Sequence, residues 1–261
     1  MLNQIKADLM RMRKSRLTYV LLIGQLIITL LIIRTYYRDY VDQVWMDPLT
    51  PEEICLEMLC LFGQISGFMS AFISLKLTIL EKKDGLLRNK LITGCGRCGI
   101  FFSKVIVNYL ISVILLVIHM AAIIISSQLL YKGQLPDTGT LVKIAAIYLM
   151  WLFFISVMMA VIALCLSSEI LSIILSFVIV GVLPSLPETL QERIILPQYQ
   201  GTFILEVFKF LRRITPYTYM SGLTNTTAVS KAFTDGIIPC IAMILVLGFA
   251  GIIAFRRKDF N

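Results

Sequence analysis

The chain has 261 residues, of which 58% are hydrophobic and 15% charged, with a formal net charge of +8 and a mean hydropathy of +0.85. A soluble domain normally carries about a quarter charged residues, so this composition excludes a water-exposed globular enzyme and places the chain in a lipid bilayer. The positive charge requires no nucleic-acid partner, because anionic lipid headgroups attract Lys and Arg at a membrane boundary.

Residues 1–16 place Leu2, Ile5, Leu9 and Met12 at helical spacing with Lys6, Arg13 and Lys14 on other faces. That pattern predicts a basic amphipathic helix lying on the inner membrane surface, the alternative being a frayed extension of the first span. Six stretches then reach the length of about 20 apolar residues that a membrane helix needs: 17–36, 54–80, 100–130, 141–166, 168–187 and 237–255. The first runs into RTYYRDY without a small-residue cleavage site, so it reads as a retained anchor rather than a signal peptide. Beyond it, Tyr36, Tyr37, Tyr40 and Trp45 have the makeup of an interfacial aromatic belt. Span two carries Gly63, Gly67 and Ala71, and span five carries Ser168, Ser172 and Ser176, both at four-residue intervals. Small residues on one stripe let helix backbones approach closely; intrachain packing is the expected use and a subunit interface the alternative. The fold class is therefore an all-α integral membrane protein, with 1–261 forming a single domain and 188–235 an outer segment.

Lys and Arg near span ends are retained on the cytoplasmic side. Lys6, Arg11, Arg13, Lys14 and Arg16 precede span one; Lys82, Lys83, Arg88, Lys90, Arg97 and Lys104 lie between spans two and three; Arg256, Arg257 and Lys258 follow span six. Six spans put all three clusters on one side, so both termini read as cytoplasmic. Lys209, Arg212 and Arg213 fall on the other side, and the rule does not explain them.

Chemistry is sparse. Ionisable residues inside a membrane mark ion or proton pathways, but Glu57, Lys76, Lys143 and Glu169 fall near span ends. His119 is mid-span without an acid in its own segment, which predicts a packed, hydrogen-bonded residue. GQLPDTGT, from Gly133, lacks the spacing and the lysine of a phosphate-binding loop, and no His or carboxylate cluster suits a hydrolase. The chain is thus expected to be no enzyme and to hold no cofactor or metal. Cys95 and Cys98 have a CxxC spacing, but no strand-and-helix pattern supports a thioredoxin-like site, and a reducing cytoplasm favours thiols.

The segment 84–94 is more informative. Asp84 is suited to capping a helix start, Gly94 to closing it in the left-handed conformation, and Leu86, Leu87, Leu91 and Ile92 share a face beside Arg88 and Lys90. A helix of about nine residues is marginal alone in water, so it must be ordered by a surface, either the membrane or a cytoplasmic partner. Farther on, GTFILEVFKFLRRI sets Phe203, Val207, Phe210, Leu211 and Ile214 on one side and Glu206, Lys209 and Arg213 on the other, the pattern of a helix half-buried at an interface and bounded by Pro216.

The order of these features resembles the permease subunits of type 2 ABC (ABC-2) exporters over essentially the whole chain. Glu81, Gly85, Leu91, Arg97 and Lys104, the stretch ITPYTYMSGL from Ile214, and the ending AFRRKDFN carry the local likeness. The resemblance implies that 84–94 is a coupling helix docking a separate ATPase through Glu81, Asp84, Gly85, Leu86, Leu87, Arg88, Lys90 and Leu91. It implies two such ATPase subunits holding ATP and Mg, a second permease copy or paralogue, and a location in the bacterial cell membrane. It also implies short outer re-entrant helices, with Phe203, Val207, Phe210, Leu211, Pro216 and Tyr217 gating the exit or touching cargo. Length and compact loops look most like the lantibiotic-expelling immunity subgroup, with a peptide or lipid-like cargo. Two other classes compete: a membrane thiol oxidoreductase needs Cys95 and Cys98 near the outer face, and a secondary transporter needs an intramembrane ion site.

Overall fold

The computed structural model describes residues 2–42, 50–131, 135–219, 223 and 226–257, without the side chains of 62–64, 131, 214 and 216. The readings made on Trp45, Gly63, Lys258, the final KDFN and the side chains of Ile214 and Pro216 therefore lie outside the described residues.

Every regular element among the described residues is helical: α1 (Leu2–Lys14), α2 (Arg16–Val41), α3 (Pro51–Lys83), α4 (Leu86–Ile92), α5 (Arg97–Tyr131), α6 (Thr138–Cys165), α7 (Glu169–Phe177), α8 (Leu186–Ile195), α9 (Phe203–Ile214) and α10 (Thr226–Arg257). Lipid offers no hydrogen bonds to the backbone, so spanning segments must satisfy it internally, and helices do so. Among the described residues, six segments are long and apolar enough to cross a membrane: α2, α3, α5 through Leu130, α6, the run Glu169–Ile195, and α10. The helices overrun the predicted apolar spans because their polar ends continue the same backbone ladder. The segment 188–235 holds most of α8, all of α9 and the first turns of α10.

α6 is the axis of the bundle. Tyr148, Trp151, Leu152, Ile155, Met159 and Ala160 are at most 1% exposed. Packing against α3 depends on Gly67, where an added Cβ would lie 1.9 Å from the Trp151 ring. Gly67 thus packs within the chain. Ser172 and Ser176 are buried and return their hydroxyls to the carbonyls of Ser168 and Ser172, while Ser168 itself caps the start of α7.

A polar seam joins α2, α3 and α5. Gln25 donates to Ser66 at 2.7 Å, and Thr29 Oγ1 lies 3.0 Å from His119 Nδ1. Ser70, Ser74 and Thr78 of α3 and Asn108 and Ser112 of α5 continue it, all buried. His119, 1% exposed, is the packed, hydrogen-bonded residue expected.

Both ends of the described chain lie on one side of the bundle. Lys90 of α4 bonds Asp8 of α1, and Arg97 at the start of α5 donates to the carbonyls of Phe255 and Arg256 at the end of α10. α1 is not a continuation of α2: Ser15 is extended between them, and Ile5, Leu9 and Met12 pack against Ile73, Val107, Ile111 and Leu115. The amphipathic helix rests on the flank of the bundle.

Candidate functional site

The turn from α3 through α4 to α5 is built by two glycines. Gly85 (φ 69°) ends α3 in the left-handed region, and Gly94 (φ 83°) ends α4 the same way, conformations costly for any residue with a Cβ. At the second turn Cys95 N–H donates to Lys90 O and Gly94 N–H to Leu91 O, the paired bonds of a Schellman motif. Asp84 does not cap α4 as expected. It is the C-cap of α3, and Gly85 precedes α4 without a side-chain cap.

α4 has an inward and an outward side. Leu87, 1% exposed, joins a cluster with Ile100, Phe101, Val157 and Phe255, and Leu91 packs on its edge. These leucines, expected to meet a partner, instead hold α4 to the ends of α5, α6 and α10. Arg88, Asn89 and Ile92 face outward together with Asp84, and Ile92 is 73% exposed. Gly85 and Leu86 are half-buried between the two sides.

Beneath α4 lies a charge cluster. Lys104 contacts both Glu81 and Asp8 (3.1 Å to the latter), Lys90 bridges Asp8 at 2.7 Å and Glu81 at 3.2 Å, and Arg11 reaches Glu81 at 2.9 Å. Ser103 adds a hydrogen bond to Asp8 at 3.0 Å. Asp8, Glu81 and Lys104 are all buried. Burial pushes the Asp8 carboxyl up, but Lys104 and Lys90 beside it outweigh that and hold it below its ordinary value. Four helices are therefore pinned at one point: α1 by Asp8, α3 by Glu81, α4 by Lys90 and α5 by Lys104.

Glu81 and Lys90, expected in a docking surface, thus point into the protein. Asp8 and the inward role of Lys104 were missed by sequence reasoning. A signal existed: Asp8 sits between Ile5, Leu9 and Met12 on an otherwise apolar stripe, where an acid needs a buried cation. Neighbouring clamps complete the end of the bundle. Lys82 donates to Ala163 O at 2.8 Å and to Leu166 O, capping α6, and Lys76 and Lys83 pair with Glu169 at the start of α7.

The cysteine pair is not a bonded unit. Cys95 and Cys98 form no disulfide; Cys95 Sγ lies near Thr93, and Cys98 Sγ accepts from Arg256. Among the described residues no group of three His, Cys, Asp or Glu side chains is placed to hold a metal.

On the opposite side, α9 packs on α8, and its Leu205 is buried. Phe203 (83% exposed), Phe210 and Leu211 turn away from the protein, Val207 is half-buried, and Lys209 pairs with Glu206. Tyr217 does not join that outward face. It is buried, edge-on to Trp151 and Phe154, and its hydroxyl donates to Ile179 O.

Such an arrangement, a short helix clamped at the end of six apolar spans with one face left outward, defines a multi-pass membrane protein. The chain matches the model of the ABC-2 family transporter proteins over residues 4–182 and belongs to that family. It is accordingly the permease component of an ABC transporter, which works with an ABC ATPase subunit. The matched region runs from within α1 through α7 to residue 182; α8, α9 and α10 follow it. No curated protein matches the chain.

Proposed function

We propose that the chain is the transmembrane subunit of an ATP-driven exporter that moves an amphipathic or hydrophobic cargo, an antimicrobial peptide such as a lantibiotic, out of the bacterial cell membrane. It pairs with a second copy or a paralogue and with two ATPase subunits, which bind ATP and Mg and carry out hydrolysis. The basic α4 side, with both termini, faces the cytoplasm, in line with the distribution of Lys and Arg.

The observation that carries this reading is the two-sided α4. Its outward face of Asp84, Arg88, Asn89 and Ile92 offers a partner one large apolar side chain within a polar rim, the makeup of a docking surface. Its inward side carries motion onward, through Leu87 and Leu91 to α5, α6 and α10, and through Lys90 to α1 and α3, whose carboxylates Lys104 of α5 shares. Glu81 and Lys90 therefore act as transmitters rather than contacts. Across the bilayer, Phe203, Phe210 and Leu211 lie at the outer membrane boundary, beside the exit that α9 and the Pro216–Tyr217 turn border.

Ile92→Asp combined with Arg88→Glu tests the docking face. The variant should insert and unfold like the wild type, yet lose copurification with its ABC ATPase and stimulation of ATP hydrolysis. Leu87→Asp should instead destabilise the permease itself. Full copurification and full ATPase stimulation by the Ile92→Asp/Arg88→Glu variant would sink the reading.

A further inference from the structure

The fifth span breaks its own hydrogen-bond ladder, and a residue from the far end of the outer segment repairs it. α7 is regular to Phe177; Val178–Val182 then widens into a π turn in which Leu183 N–H donates to Val178 O. Immediately after, Leu183–Ser185 tightens into a 3-10 turn, with Leu186 N–H donating to Leu183 O. Prolines encode this change of register. In a π register the donor for Ile179 O would be residue 184, and in an α register the donor for Leu183 O would be residue 187. Both are proline and have no N–H. Since Leu183 N–H is committed to Val178, neither register offers Ile179 O a backbone donor.

Ile179 is 6% exposed, so its carbonyl needs another partner. Tyr217 supplies it from the turn between α9 and α10, 38 residues along the chain. Burial pushes the Tyr217 phenol up from its ordinary value, which keeps the hydroxyl a donor. Its ring is gripped by α6, with centroids 6.0 Å from Trp151 and 6.4 Å from Phe154. Beyond the break, α8 and α9 form one hairpin: they pack together, Gln200 Nε2 donates to Ile194 O, and Tyr199 stacks edge-on against Phe208. Sharp bends in helices occur at prolines and π turns, and π turns often mark functional sites.

We propose that residues 178–187 are a hinge in the fifth span and that the Tyr217 hydroxyl is its latch. With the bond to Ile179 O made, the α8–α9 hairpin is held close to α6. With the bond released, the hairpin turns about the hinge as a unit, and the carbonyl is left for water. This device goes beyond the docking reading and depends on neither the cargo nor the ATPase.

The test uses hydrogen–deuterium exchange on the full chain in lipid nanodiscs. Tyr217→Phe keeps the ring and removes the latch. Exchange at the amides of 183, 185, 186 and 188–190 should speed up about tenfold, the factor expected from losing one net hydrogen bond. Pro184→Ala gives the ladder back an N–H for Ile179 O, so Tyr217→Phe added to Pro184→Ala should change those rates by less than about twofold. Recovery of folded Pro184→Ala/Tyr217→Phe where Tyr217→Phe alone cannot be recovered would support the latch equally. Wild-type exchange in Tyr217→Phe, the same acceleration in both backgrounds, or failure of both variants to fold would overturn it, leaving Tyr217 as packing alone.

Discussion

Replacing Lys104 by Met should be among the most damaging single changes at the α4 end. Lys104 is 4% exposed and lies between Asp8 and Glu81, both equally hidden. Methionine matches the length of the stem, so the change removes charge rather than volume. Afterwards two buried carboxylates share Lys90, with Arg11 contributing to Glu81 from a half-exposed position. Breaking one partner out of a buried ion cluster costs about 3–5 kcal/mol, because the opposing charge stays desolvated. For a chain of this size that corresponds to a fall in Tm of about 6–20 °C. Thermal unfolding of the purified chain in nanodiscs, followed by tryptophan fluorescence, reads it directly. Adding Glu81→Gln should restore part of the loss, because one of the stranded charges is then gone. A Lys104→Met protein melting within 2 °C of wild type, a bound of roughly 1 kcal/mol, would mean that water reaches the cluster and that α4 is not pinned to α1, α3 and α5 through it.

The same cluster sets an acid limit. Asp8 is held below its ordinary value of 3.8, so its contribution is complete above that pH and is lost as pH falls through the lower folded value; Asp8→Asn should flatten that acid limb of the Tm profile and lower stability at neutral pH. Gly67→Ala should cost about 1–3 kcal/mol by overpacking, since its Cβ would meet the buried Trp151 ring; Trp151→Leu in the same chain should recover part of the Tm, and an unshifted Gly67→Ala would refute the close approach. Cys95 and Cys98 should react with an impermeant thiol reagent only when the inner membrane face is exposed, and labelling of intact cells would reverse the assigned orientation. Cys95→Ser with Cys98→Ser should keep export activity, because Cys95 closes the Schellman turn through its backbone; loss of export at normal expression would assign the pair a chemical role.

The sequence by itself determined the spans and the turn. Span number depends on length and apolarity, which are properties of a local stretch, and the lipid forces such stretches into helix. The left-handed closure at Gly94 was equally legible, because a glycine after a short amphipathic run has few other uses. The amphipathic pattern of α9 was readable for the same reason, and Phe203, Phe210 and Leu211 of its apolar side face away from the protein.

Facing was decided only by the tertiary structure. In water an apolar residue points inward, but in a membrane both the bundle core and the lipid accept it, so apolar patterns lose their sense of direction. Leu87 and Ile92 are equally apolar in sequence, yet one is buried and the other open. Phe210 and Tyr217 both read as outer-face aromatics, and only the latter proved to be core. The partners of Asp8 come from α4 and α5, about 80 and 95 positions away, and Tyr217 completes a helix 38 residues upstream. Local propensity carries no information on such pairings, because a buried charge or an orphaned carbonyl is satisfied by whichever group the packing of distant helices brings within reach.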